Sequence, residues 1–238
     1  MSDPSGAVTW TRYSTAFPLA ADRSVDHYEL GPDLPTLERR LIGDVEGSRV
    51  LDLGCGMGHG AVALARQGAK VIAVEPDPTQ VAHARELAEQ HLVRIELHQA
   101  DLAELAFVSS ASVDLVLSAF SLAAVDDLDR VFRQVHRILQ PEAPFLLTLP
   151  HPFTLLARAA GDGSVRVDRP FTAGSPLGEG PTLTYPHQFA GLHTSLTRAN
   201  FRVDVVLEPE SEPRGRWRTP LTGWIPSTLV LRARKEGT

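Results

Sequence analysis

Gly54, Gly56 and Gly58 stand at alternate positions in Val50-Leu51-Asp52-Leu53-Gly54-Cys55-Gly56-Met57-Gly58-His59-Gly60, at the end of a short apolar run. Glycines there let a backbone pass close to a ligand without Cβ clashes. A helix that starts after them has unpaired N–H groups facing the same turn. A dinucleotide pyrophosphate uses such a turn, with G-x-G-x-x-G/A and an acid about 20 residues later. Gly56-x-Gly58-x-x-Ala61 passes that pattern, so the glycines alone are ambiguous. Asp52 separates the readings. Two residues before the first glycine, its carboxylate aims at the turn, where it accepts from an ammonium group and repels a pyrophosphate. A cationic ligand bearing an adenosine is favoured over NAD.

The other candidates are fewer. Glu75 closes the next apolar run and Asp101 follows a third. Cys55, inside the turn, reads as a space-filler rather than a nucleophile, since nothing suggests an activating base near it. His151, in Pro150-His151-Pro152-Phe153, and His187, in Tyr185-Pro186-His187, are candidate bases, because imidazole titrates near working pH. Against each stands a plain structural role. No His/Cys cluster has metal-ligand spacing, and no metal is expected. Tyr28, Phe120, Phe153 and Trp217 are candidates for an aromatic substrate lining, while Arg214, Arg216 and Arg218 read as a solvated loop.

These residues need a scaffold, and the middle of the chain supplies one. Arg49–Leu53, Lys70–Glu75, Ile95–Ala100, Val113–Ala119 and Pro144–Leu149 read as strands. Helical stripes over His59–Gln67, Thr79–Gln90 and Asp126–Leu139 lie between them. Strands alternating with helices imply βαβ units and a parallel sheet covered on both faces. Such a sheet binds ligands beyond the carboxyl ends of its strands, where the strand order reverses. Residues 151–185 break the rhythm with turn signals such as Gly161-Asp162-Gly163 and Gly178-Glu179-Gly180-Pro181. A helix over Gln188–Ala199 and strands over Phe201–Leu207 and Ser227–Arg234 complete the chain.

Composition sets the outer limits. With 238 residues, 43% hydrophobic and 22% charged, the chain suits one domain with a sizeable core. Its formal charge of −6 argues against nucleic-acid binding, which usually shows a basic excess. The single cysteine precludes an internal disulfide and fits a reducing compartment. No apolar run approaches the roughly 20 residues of a membrane helix, and Met1–Ser5 has no signal-peptide character. A cytoplasmic location with no membrane association is expected.

Val50–Gly58 resembles the first motif of the class I S-adenosylmethionine-dependent methyltransferases, hydrophobic-hydrophobic-Asp-hydrophobic-Gly-x-Gly-x-Gly. Further landmarks follow in family order. Glu75 is similar to the family's ribose-binding acid, and Pro76-Asp77 falls where the adenine edge would lie. Gln99-Ala100-Asp101-Leu102 resembles the third-strand motif, where the Asp accepts from the adenine amino group and the next N–H reaches a ring nitrogen. Val113–Ser118 resembles the fourth-strand motif, whose end passes the methionine part of the cofactor. The match covers roughly residues 45–150, and the chain ends resemble a small-molecule, quinone-methyltransferase-like branch. Many relatives have a His after the fourth strand, but Phe120–Val125 has none.

The resemblance implies a doubly wound, Rossmann-like α/β fold with a seven-stranded, mainly parallel sheet whose last strand is antiparallel. A cofactor core is expected at about 36–150, with 1–35 and the 151–185 insertion forming a cap over the carboxyl ends, and a C-terminal helix with two strands over 186–238, all in one domain. The resemblance assigns S-adenosyl-L-methionine to Asp52, Gly54, Cys55, Gly56, Gly58, Glu75, Pro76, Asp101, Leu102 and Ser118. The expected activity is methyl transfer to an O, N, C or S atom of a small molecule. An aminopropyl-transferring or NAD-linked enzyme on the same scaffold, and a non-catalytic binding module, are the alternatives.

Overall fold

The structure is a computed structural model and describes residues 24–31, 40–167, 170, 176–177, 183–209, 221 and 223–237. Its centre is β1 (Arg49–Leu53), with β2 (Lys70–Glu75) and β3 (Ile95–Gln99) on one side. On the other lie β4 (Leu115–Ala119), β5 (Pro144–Pro150), β9 (Thr228–Lys235) and β8 (Phe201–Leu207). The sheet order is β3-β2-β1-β4-β5-β9-β8. Pairings from β3 to β5 are parallel, and β9 is antiparallel to both its neighbours. The last strand alone runs against the others, as expected. The chain fills one side of β1 before crossing to β4, so the crevice opens between the carboxyl ends of β1 and β4.

Local chemistry sets the helices. In α1 (His59–Arg66) the chain leaves through Gly68, at φ +87°, where the Gly68 and Ala69 N–H groups donate to Ala65 and Leu64 carbonyls. That is the left-handed exit glycine allows most cheaply. α2 (Pro78–Gln90) begins on Asp77, with Pro78 in its first turn, and α3 (Leu128–Ile138) begins on Asp127. Strands β1, β2, β4 and β5 are buried on both faces, while β3 at the sheet edge is half-exposed. Leu53, Val74, Phe132, Phe145 and Leu147 belong to one core layer, and Val50, Leu64, Ala73 and Leu117 to the other. Phe145 packs against Phe132 and Phe201 at ring separations of 5.9 and 6.0 Å. Arg137 of α3 holds the β3–β4 connection by donating to the carbonyls of Leu105 and Val108 at 2.7 and 2.9 Å.

Residues 151–185 depart in part from the expected loop. Pro152–Leu156 form α4, and Ala157–Ala159 and Val165–Val167 pair as a small antiparallel hairpin, β6 and β7. The Gly161-Asp162-Gly163 signal is that hairpin's turn: Asp162 accepts from the Ser164 N–H and hydroxyl, and Gly163 takes φ +81°. α5 (Phe189–Arg198) then leads into β8. Among the described residues no helix is long and apolar enough to cross a membrane.

Candidate functional site

The glycine turn leaves β1 stitched to β2, because the N–H groups of Gly54 and Cys55 both donate to the Val74 carbonyl, at 2.8 and 3.0 Å. Gly54, Gly56 and Gly58 all take positive φ, +80°, +55° and +88°. A Cβ on Gly58 would lie 2.7 Å from the Ala84 Cβ, so this glycine also lets α1 approach α2. Two carboxylates converge on the turn. Asp52, 2% exposed, accepts from the Tyr28 hydroxyl at 2.8 Å. Glu75, 7% exposed, accepts from the Gly56 N–H at Oε2 and the Asp77 N–H at Oε1, both at 3.0 Å.

Burial raises the pKa of Glu75, against the opposing pull of the Asp77 and Gly56 N–H groups. Burial likewise pushes the Cys55 thiol well up, and the nearby Asp52 and Glu75 charges add to it. Cys55 therefore stays a protonated filler. Asp101 is exposed at the end of β3 and accepts from the Ala103 N–H at 2.8 Å, while Leu102 is buried behind Gly54. Pro76 is exposed beside Glu75. An ionised carboxylate only accepts hydrogen bonds, and all three acids lie at or just beyond the carboxyl ends of β1, β2 and β3. The set fits a ligand with an ammonium group at Asp52, a vicinal diol at Glu75 and an amino-bearing ring at Asp101.

The remaining candidates divide. Tyr28, a candidate for the substrate lining, lies on the glycine turn. Its ring covers Gly60, where a Cβ would come within 2.7 Å, and its hydroxyl is on Asp52. The Ser118 side chain is fully buried, its hydroxyl 2.6 Å from that of Ser121, which donates to the Leu53 carbonyl. Phe120, 3% exposed, sits at the end of β4 with φ +63°, a conformation that costs a bulky residue energy and recurs at functional sites. Phe153 is 54% exposed on α4. Trp217 lies outside the described residues, as do Arg214, Arg216 and Arg218.

Both histidines are engaged by the protein. His151, 3% exposed, caps α4 by accepting from the Phe153 N–H at Nδ1, so its proton is on Nε2, 3.0 Å from Glu208 Oε1. His187 Nε2 donates to the Val125 carbonyl at 2.9 Å, and burial lowers the pKa of the ring. It anchors the 185–187 segment to the turn after β4, where the Tyr185 N–H also donates to the Ala123 carbonyl. Sequence reasoning missed Ser121 and the Tyr28–Asp52 pair, which join residues far apart in the chain. It also missed Gln80, although Asp77-x-x-Gln80 is a legible helix-start signal.

Comparison with known proteins agrees with this fold. Residues 50–142 match the family model of a methyltransferase domain. A probable S-adenosylmethionine-dependent methyltransferase of Mycobacterium tuberculosis is 37% identical over 105 residues, 44% of this chain and 36% of that protein. A ubiquinone biosynthesis O-methyltransferase of Xanthomonas oryzae is 32% identical over 105 residues, 44% of each chain. The chain thus spans less than half the length of these two curated relatives. The crystal structure of an S-adenosylmethionine-dependent methyltransferase from Mesorhizobium loti superposes with a TM-score of 0.73 at 25% identity, covering 87% of this chain and all of that one.

Proposed function

We propose that this chain, whose residues 50–142 match the methyltransferase-domain model, is a class I S-adenosylmethionine-dependent methyltransferase that methylates a nucleophilic atom of a small-molecule metabolite. The observation that supports this most is the pair of buried carboxylates, Asp52 and Glu75, at the ends of adjacent strands around one glycine turn. The bound cofactor supplies an electrophilic methyl group on a sulfonium. Asp52 accepts from the amino-acid ammonium, oriented by Tyr28. Glu75 accepts from the ribose hydroxyls beside Pro76, and Asp101 with the Leu102 N–H reads the adenine edge. Gly54, Cys55, Gly56 and Gly58 give the backbone its close approach, and Ser118 acts through Ser121 beneath the turn.

Phe153, exposed on α4 just after β5, offers aromatic surface for a planar acceptor, with Phe120 buried at the end of β4. Among O, N, C and S nucleophiles the oxygen of a phenol-like acceptor is the first choice, since a named relative is an O-methyltransferase. The acidic net charge favours a small molecule over nucleic acid, and the lone cysteine fits work in the cytoplasm. Aligning and desolvating the two reactants can itself lower the barrier by roughly 7–11 kcal/mol, so a dedicated base is not required.

Calorimetric titration with S-adenosylhomocysteine and NAD(H) tests the cofactor. Binding of NAD(H) alone would overturn the reading. A metabolite panel, read by release of S-adenosylhomocysteine and a product heavier by one CH₂, then separates a methyltransferase from a binding module. With an acceptor in hand, His151→Ala and His187→Ala are expected to lose less than about tenfold in kcat, because their ring nitrogens serve protein partners. A loss of about 10²–10⁴-fold, with a flattened pH profile, would instead make that histidine the base.

The titration of Glu75 has a sign. Its hydroxyl partners need the ionised form, and burial raises its pKa. Affinity for S-adenosylhomocysteine should be full above that raised pKa and fall as pH drops through it, starting at a higher pH than for an ordinary glutamate. Calorimetry across pH checks this, and an affinity that holds to the acid limit of folding would remove Glu75 from the contact.

A further inference from the structure

Gln80 has a buried side-chain oxygen, Oε1, with no hydrogen-bond partner. It stands three residues after Asp77, the N-cap of α2. In a capping box the N-cap side chain accepts from the N–H of the third helical residue, whose own side chain accepts from the N-cap N–H. Half of that box is formed: Asp77 Oδ1 accepts from the N–H groups of Thr79 and Gln80, at 2.7 and 3.2 Å. The other half is pre-empted, because the Asp77 N–H donates to Glu75 Oε1 at 3.0 Å. Glu75 Oε2 holds the Gly56 N–H at the same distance. Gln80 Oε1 lies beside that glycine, 3.2 Å from where its Cβ would be.

We propose that Gln80 is a positioning residue for the cofactor, a standby acceptor that takes the Asp77 N–H when Glu75 turns its carboxylate to the ribose diol. The idea rests on the cofactor reading above. As the turn now stands, both Glu75 oxygens are drawn back onto backbone N–H groups, whereas a vicinal diol asks both to face the crevice. Releasing the Asp77 N–H without a second acceptor would leave a donor unsatisfied, and Gln80 occupies the helix position that removes this cost. A buried carbonyl without a donor is itself unfavourable. The arrangement in which Glu75 holds the Asp77 N–H carries that cost, and the handover to Gln80 relieves it, which shifts the balance toward binding.

Gln80→Met keeps the side chain's length and removes the acceptor. It should bind S-adenosylhomocysteine about 3–10-fold more weakly by calorimetry. The Tm of its ligand-free form should equal or exceed that of the wild type, because an orphan oxygen is gone. In wild type the Asp77 amide resonance should move on ligand addition, and in Gln80→Met that shift should shrink. A variant that binds within about twofold of wild type, a fall in ligand-free Tm, or an unmoved Asp77 amide in wild type would each overturn the handover. A wild type that fails to bind would remove the cofactor reading as well, so the two failures are distinguishable.

Discussion

Asp52→Ala is expected to bind S-adenosylhomocysteine roughly 30- to 100-fold more weakly than the wild type, the range set by losing a charge-assisted hydrogen bond in a buried site. Two effects add. The ammonium loses its carboxylate, and the buried Tyr28 hydroxyl loses the acceptor it holds at 2.8 Å. Asp52→Asn separates them, since the amide oxygen still accepts from Tyr28 while the charge is gone. It should recover the part due to Tyr28 and no more. Tyr28→Phe should cost less than either, because its ring still covers Gly60. Calorimetry reads the affinities, and circular dichroism checks that each variant is folded. Unchanged affinity in Asp52→Ala would take Asp52 out of the ligand contact altogether.

Much of this scaffold was readable because its strands are short apolar runs ended by glycine, proline or acid. Lys70–Glu75 and Phe201–Leu207 have the bounds read from sequence. Val113–Ala119 shortens to Leu115–Ala119 because Asp114 turns aside: its carboxylate accepts from the Arg49 N–H and from Gln140 Nε2, both at 2.8 Å. The start of α3 moves from Asp126 to Leu128 because Asp127 is spent as its cap. The helix after β5 departs from the expected loop because His151-Pro152 resembles loop punctuation. Proline is equally at home in the first turn of a helix, and His151 supplies the cap.

The site was readable where chemistry and chain order coincide. Asp52, the glycines and Glu75 announce themselves by residue type at consecutive strand ends. What sequence does not carry is contact across distance. Nothing near Tyr28 indicates that its hydroxyl reaches Asp52, and nothing near Ser121 that it bonds to the Leu53 carbonyl 68 positions away. Both pairings exist only once β4 lies beside β1 and the N-terminal segment returns over α1. That segment is fixed by Arg66, which donates to the Asp26 carboxylate at 2.8 Å and the Val25 carbonyl at 3.0 Å.

Ser121 sets the second large effect. A Cβ on Gly54 would fall on the Ser121 side chain, and φ at Gly54 is +80°. Gly54→Ala therefore incurs a left-handed backbone cost of about 1–2 kcal/mol and an overpacking cost of about 1–3 kcal/mol. Ser121 cannot simply move aside. Its hydroxyl is 2.6 Å from both the Leu53 carbonyl and the Ser118 hydroxyl, and it follows the strained Phe120, whose N–H is tied to the Thr148 carbonyl at 2.9 Å. A total of about 2–5 kcal/mol should lower Tm by roughly 5–15 °C in a chain of this size. Gly54→Ala with Ser121→Gly removes the overlap but keeps the backbone cost. Measured against Ser121→Gly alone, the second Gly54→Ala step should therefore cost only about 1–2 kcal/mol. Thermal unfolding of the four proteins measures both parts. Equal costs for Gly54→Ala with and without Ser121 would mean that the two side chains do not compete, and a Gly54→Ala variant as stable as wild type would remove this glycine's structural requirement.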